Sequence, residues 1–206
     1  RGPSSVYLPN HIKDNLPLAI KNTIAGINRI GNVVATMRRF SHKGLDKQKA
    51  RGDINQAIRD ALFLSRTELD KDVVELRFSL GKDIPEINCS LSDISHVILS
   101  LIVNAYDSIA DKVKDGEKGT ITIRSFAEDK GVRIEIRDNG RGIPASIKDR
   151  IFEPFFTTKV VGQGMGQGLS IAHAVIVAEH GGKLVFETEV GKGSSFEIFL
   201  PLNPES

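Results

Sequence analysis

Asp138-Asn139-Gly140-Arg141-Gly142-Ile143, then Phe152-Glu153-Pro154-Phe155-Phe156-Thr157-Thr158-Lys159, then Gly162-Gln163-Gly164-Met165-Gly166-Gln167-Gly168-Leu169-Ser170: these three runs dominate residues 138–170. The span is too rich in glycine and proline for one regular element and too long for an idle connection. On both sides of it the pattern is regular. Upstream, Thr120 to Phe126 and Val132 to Arg137 read as strands joined by the turn-forming Asp129-Lys130-Gly131. Downstream, a helix resumes over Leu169 to Glu179. The chain then closes with a hairpin, Lys183 to Glu189 and Ser195 to Leu200, around Gly191-Lys192-Gly193.

Further upstream, Ser92 offers an N-cap to a helix running to about Val113, with Ile98, Leu101, Ile102, Ala105 and Ile109 on its apolar face. Val73 to Leu80 reads as a strand, Pro85 to Cys89 as a shorter one, and Asp53 to Asp70 as a helix. Helices and strands alternate without regular βαβ units, so the expected class is α+β with a mainly antiparallel mixed sheet. Residues 43–52 are lysine-rich and poor in apolar side chains, and read as a linker. Ahead of it, Asn10 to Ser41 reads as one long helix. Ile20, Ile27 and Val34 form one heptad row, and Thr23, Ile30 and Met37 a second. Such a seam pairs with another helix, with a second copy of itself, or with its own domain. The expected organisation is 1–42 helix, 43–52 linker and 53–206 main domain.

Composition excludes several classes. With 206 residues, 40% apolar and 26% charged, the chain has the makeup of a soluble domain with a core of its own. A net charge of +2 gives no reason to expect nucleic acid. One cysteine, Cys89, rules out an internal disulfide framework and fits a reducing, cytoplasmic setting. No apolar run approaches the roughly 20 residues of a membrane span, so this segment is expected to make no membrane contact, although a parent protein could be anchored elsewhere.

Four stretches carry chemistry. An amide carbonyl at Asn104 could ligate a hard cation that keeps several waters, which suits Mg²⁺; a satisfied, half-buried asparagine is the plain alternative. Asp138 at a strand end could accept a hydrogen bond from an exocyclic amine, with Gly140 and Gly142 admitting a ring; the alternative is an ordinary Asp-Asn-Gly turn. Phe152, Phe155 and Phe156 either anchor a mobile segment or form satellite core, and Lys159 could reach phosphate. The run from Gly162 to Gly168 could present backbone N–H groups to an anion at a helix start, or be a flexible linker. It is neither a P-loop nor a dinucleotide fingerprint.

In order and spacing these stretches resemble the N box, first glycine box, F box and second glycine box of the ATP-binding domain of histidine kinases. That superfamily also includes type II topoisomerases, heat-shock chaperones and mismatch-repair ATPases. Gly52-Asp53-Ile54-Asn55, His180-Gly181-Gly182 and Gly191-Lys192-Gly193-Ser194-Ser195-Phe196 extend the resemblance over about Asp53 to Pro201. It implies a two-layer α/β sandwich of the Bergerat type, preceded by a long helix, with ATP and Mg²⁺ as cofactors. Asn104 is then the Mg²⁺ ligand and Asp138 the partner of the adenine amino group. Gly140 and Gly142 line the base pocket, Gly164, Gly166 and Gly168 wrap the phosphates, and Lys159 assists. Ser194 lies near the adenine, and Ile143, Phe155, Met165 and Leu169 complete the implied nucleotide contacts.

The sequence departs from the family at Ser100, where kinases carry a second asparagine and hydrolytic relatives a glutamate, and at Met165, where threonine is common. Serine is a poor general base for activating water, so efficient hydrolysis is not expected. Gly26 to Ser41 resembles the second helix of the dimerisation hairpin. None of the five histidines, His11, His42, His96, His173 and His180, fits the phospho-acceptor pattern. The resemblance therefore implies transfer to a histidine on a helix this sequence lacks, no self-phosphorylation, relay to a response-regulator receiver domain, and a homodimer through the N-terminal helix. A nucleotide-gated interaction module with weakened catalysis is the alternative.

Overall fold

The computed structural model describes residues 16, 23, 26, 49–67, 69–113, 117–159 and 165–202. They fall into two compact units, one of residues 1–45 with Thr158–Met165, the other of Asp46–Thr157 with Gly166–Ser206. In the first, Leu16, Thr23 and Gly26 are helical. The other heptad positions read from the sequence lie outside the described residues.

The second unit holds every element that follows. Strand β1 (Ala50–Gly52) pairs antiparallel with β3 (Ile87–Cys89), so ordered pairing begins inside the stretch expected to be linker. Gly52 makes this possible, because a Cβ there would lie 2.7 Å from Leu91 Cγ. Helix α1 (Ile54–Ser65) is capped by Asp53, whose carboxylate accepts the Asn55 N–H at 2.8 Å. It buries Ile54, Ala57, Ile58 and Ala61. It stops at Ser65, short of the expected Asp70; the Ser65 hydroxyl turns back to the Leu62 carbonyl at 2.9 Å. Helix α2 (Leu91–Ala110) starts after Ser90, not after Ser92 as the sequence implied, and places Asp93 in its first turn, where the helix dipole favours a carboxylate.

Strands β2 (Val74–Leu80), β4 (Gly119–Glu128), β5 (Gly131–Asp138), β6 (Lys183–Glu189) and β7 (Gly193–Pro201) form one sheet in the order β2-β4-β5-β7-β6. Only the β2–β4 pairing is parallel. Ile121, Ile123, Ile134, Ile136, Phe196, Ile198 and Leu200 face inward and are buried beneath the helices; a fully buried side chain of this kind contributes about 1.5–3 kcal/mol. The other face bears charges: Arg124 reaches Glu135 at 3.6 Å, and Arg133 reaches Glu128 at 2.7 Å and Glu197 at 3.7 Å. Such exposed pairs contribute little stability. The architecture is the α+β two-layer sandwich with a mixed, mainly antiparallel sheet that the sequence led us to expect.

Helix α3 (Gly168–His173) continues without a break as a π-helical turn over Ala174–Glu179. The buried His180 follows it. Its Nε2 accepts the Ser90 N–H at 3.1 Å and its Nδ1 donates to the Val175 carbonyl at 2.8 Å, a pairing that only the neutral ring can make. Burial pushes its pKa down. Lys49 donates to the Glu179 carbonyl, closing the helix end. Nearby Cys89 is buried, and its thiol is pushed up to about 11, so it stays protonated and unreactive at neutral pH.

Candidate nucleotide site

Two clusters flank the inner face of α2. The first lies where β5, β7 and β6 end together. Val132, Ile134 and Ile136 point inward along β5, and the next inward position is Asp138, only 5% exposed. Its Oδ1 accepts the Gly140 N–H at 2.8 Å and a weaker bond from Ser108 Oγ on α2 at 3.4 Å. The Ser194 N–H also donates to this carboxylate. Burial raises the Asp138 pKa, while those three donors and the charge of Lys112 oppose the rise. Lys112 itself donates to the Asn139 carbonyl at 2.6 Å.

Glycines let this cluster close tightly. Gly140 backs onto α2 so closely that a Cβ would sit 2.3 Å from Ser108 Oγ. Gly142, at φ +72°, would bring a Cβ 2.3 Å from the Glu189 carbonyl oxygen. Gly193, at φ +116°, would place one 2.1 Å from the Asp138 carbonyl oxygen. Each is a position where only a hydrogen fits, and the backbone around Asp138 is drawn tight as a result. Ile143 follows, its N–H donating to Thr188 Oγ1 at 2.8 Å, and Ser194 Oγ lies 2.9 Å from that same oxygen.

The second cluster lies further back along α2. Asn104 is one turn before Ser108, and Ser100 one turn before Asn104. Gly168, the first residue of α3, packs against them: a Cβ there would lie 2.6 Å from Ser100 Oγ and 3.7 Å from Asn104 Nδ2. Asn104 Nδ2 is buried and has no hydrogen-bond partner among the described residues. A buried amide left this way is destabilising unless something else satisfies it. Gly166, at φ +63°, fits against the backbone of Phe155 and Phe156, so the F box and second glycine box are in direct contact.

The structure thus brings Asp138, Gly140, Gly142, Ile143 and Ser194 together at the C-terminal end of α2, and Asn104 and Gly168, followed by half-buried Leu169, one to two turns back along the same helix. Lys159 and Met165 belong to the smaller unit, and Gly164 lies outside the described residues. The phenylalanines divide. Phe152 packs on His173 and Phe186, Phe156 lies under the Arg150 guanidinium, and both rest against the core. Phe155 is 58% exposed with φ +67°.

Sequence reasoning missed Ser108 and Thr188. The signal for Thr188 was available: the inward positions of β6 run Leu184, Phe186, Thr188, and the last is the polar break. Among the described residues no group of three or more His, Cys, Asp or Glu side chains gathers to hold a metal. The Asn104 carbonyl oxygen could serve as one ligand of a hydrated hard cation, whereas its buried Nδ2 is a donor and calls for an acceptor. A depression at the β4–β5 turn, lined by Lys130, Arg133, Lys183 and Glu197, in which Arg133 is paired with Glu197 and with Glu128, takes no part in either cluster.

Residues 90–204 match the model of the histidine kinase-, DNA gyrase B-, and HSP90-like ATPase family. The chain belongs to that family. The curated relatives are sensor histidine kinases. The sensor kinase CckA of Brucella abortus is 32% identical over 96% of this chain and 22% of its own length. The sensor histidine kinase ZraS of Escherichia coli K12 is 33% identical over 86% of this chain and 35% of its own. The chain thus spans about a fifth to a third of the length of these relatives. Among solved structures, the catalytic domain of the histidine kinase ThkA superposes with a TM-score of 0.65 at 31% identity, covering 76% of this chain and 97% of that one. ThkA in complex with the response regulator TrrA matches with a TM-score of 0.69 at 27% identity, over 93% of this chain and 52% of that chain.

Proposed function

We propose that this chain binds ATP with Mg²⁺ and passes the γ-phosphoryl group to a histidine on a helix outside this sequence, for relay to a response-regulator receiver domain. The observation that carries the reading is Asp138: a carboxylate buried at a strand end, held by backbone N–H groups, in a turn that glycines allow to close tightly against α2 and β6. Asp138 would accept from the adenine amino group, with Ser194 beside it. The glycines of the lid and the start of α3 would supply N–H donors to the phosphates. Asn104 would hold Mg²⁺ through its side-chain carbonyl, and the ion would offset the charge of the phosphates. The chain's share in catalysis is positioning and charge stabilisation. Ser100 argues against a hydrolytic role, since its hydroxyl has no carboxylate chemistry to activate water. A homodimer through the N-terminal helix, a domain boundary within residues 43–52, and phosphate contacts from Lys159, Gly164 and Met165 belong to the same proposal.

Isothermal titration of a Mg²⁺-bound, non-hydrolysable ATP analogue tests it. Wild type should bind, and Asp138→Ala should weaken binding by on the order of 10- to 100-fold, the loss expected for a hydrogen bond to a charged group. Phosphate should then appear on an acceptor helix supplied in trans and not on the chain itself. Binding without any transfer would favour a nucleotide-gated interaction module instead.

A further inference from the structure

The inward-facing row at the end of the sheet contains one residue that the proposed reading does not use. Ile121 pairs with Asp138, Arg137 with Ser195, and Thr188 with Ser194. Asp138, Ser194 and Thr188 therefore stand side by side on three adjacent strands, on the same face. Along each strand the preceding inward positions are apolar: Ile136 on β5, Phe196 on β7 and Phe186 on β6. Three adjacent strands switch from apolar to polar at the same level.

Thr188 is saturated. A hydroxyl has one proton and two lone pairs. Thr188 Oγ1 donates to the Gly193 carbonyl at 3.1 Å and accepts the Ile143 N–H at 2.8 Å. Its remaining neighbour is Ser194 Oγ at 2.9 Å. Either hydroxyl can donate in that contact; when the threonine proton goes to Gly193, Ser194 is the donor. Ser194 then has no proton left and turns lone pairs alone toward its surroundings. Beside it, the Asp138 carboxylate also accepts only.

We infer that Thr188 is a specificity-determining residue. By consuming the Ser194 proton it makes the base end of the site a surface of acceptors, which favours a purine bearing a 6-amino group over one bearing a 6-oxo group. Thr188 touches no base itself and acts through Ser194, so it is a positioning residue. The inference rests on the proposed adenine site. Without the Thr188 hydroxyl, the Ser194 proton is released to face the pocket and can bond a 6-oxo group. The same loss unties Ile143 from β6, but that effect weakens all purines alike, whereas the polarity effect changes their ratio.

The experiment is to measure the ratio of Kd values for inosine and adenosine triphosphate, both with Mg²⁺, on the 206-residue chain. Wild type should prefer adenosine, and Asp138→Asn should abolish the preference. Thr188→Val should narrow the ratio severalfold, mainly by tighter inosine binding, whereas Thr188→Ser should hold it at the wild-type value. In a Ser194→Ala background, Thr188→Val should no longer move the ratio. Thr188→Ala gives the same reading should the valine variant not fold. A ratio that collapses in Asp138→Asn but is unchanged in both Thr188→Val and Thr188→Ala overturns the inference and leaves the adenine site standing. A folded wild-type chain that binds neither nucleotide, or binds both equally, overturns the site and the inference together.

Discussion

The last turn of α2 and the two turns before it are built by opposite means. At the Ser108 end, Asp138, Thr188 and Ser194 are joined to one another and to the backbone by a closed set of hydrogen bonds, in places where glycine alone fits. Near Ser100, Gly168 rests against a small hydroxyl, and the buried Asn104 Nδ2 has no hydrogen-bond partner among the described residues. The first is a finished surface. The second is completed by whatever comes to it. A fully bonded region fixes which ligand is accepted, whereas an unsatisfied donor draws binding energy from a ligand group that accepts its hydrogen bond.

The strongest way to break this contrast is at Gly193. Alanine there must tolerate φ +116° and a contact of 2.1 Å with backbone. We expect a loss of about 3 kcal/mol in chemical denaturation, together with loss of nucleotide binding. The equivalent change at Gly168 meets only the Ser100 hydroxyl, which can rotate away, and should cost far less.

Asp138→Asn separates affinity from stability. Because burial raises the Asp138 pKa, the folded state holds its proton more tightly than the unfolded chain. The contribution to stability is thus full below the unfolded carboxylate pKa and is lost as pH rises through the folded value. At neutral pH, the asparagine variant should melt at or above the wild-type temperature. Its stability should also lack the fall that wild type shows as pH climbs from acid toward neutral. A variant less stable than wild type at neutral pH would mean that the carboxylate's hydrogen bonds outweigh its desolvation.

The smallest stability effect belongs to Asn104→Ala. Removing an unsatisfied buried donor should leave the unfolding free energy within about 1 kcal/mol of wild type, while Mg²⁺-dependent nucleotide affinity falls by on the order of tenfold. A large destabilisation would show that the amide is bonded within the protein after all.

The sequence made the strands legible where alternation was long. Thr120 to Phe126 and Val132 to Arg137 lie within β4 and β5 because isoleucine and valine recur at every second position. It was silent for β1, since Ala50-Arg51-Gly52 has no alternation to read and is a strand only because β3 lies beside it. The helix after Asp53 was legible, although the sequence pattern placed Asp53 inside it and not at its cap. The start of α2 was not, because Ser90 and Ser92 offer the same chemistry two residues apart. In the site, Asp138 and the glycines stood out as residue types with few other uses. Thr188 did not, because threonine is ordinary in a strand, and its meaning depends on which residues the neighbouring strands set beside it.

The order of synthesis gives the β5–β7 pairing one more consequence. The ribosome releases β5 before β6 and β7. Until β7 arrives, β5 is an open edge of isoleucine and valine, and Asp138 lacks the Ser194 N–H that helps hold its charge. A nascent chain that ends at β6 contains Asn104, Asp138 and Gly168 and still has no base pocket. What it offers instead is an unpaired hydrophobic strand, the kind of edge that recruits other chains.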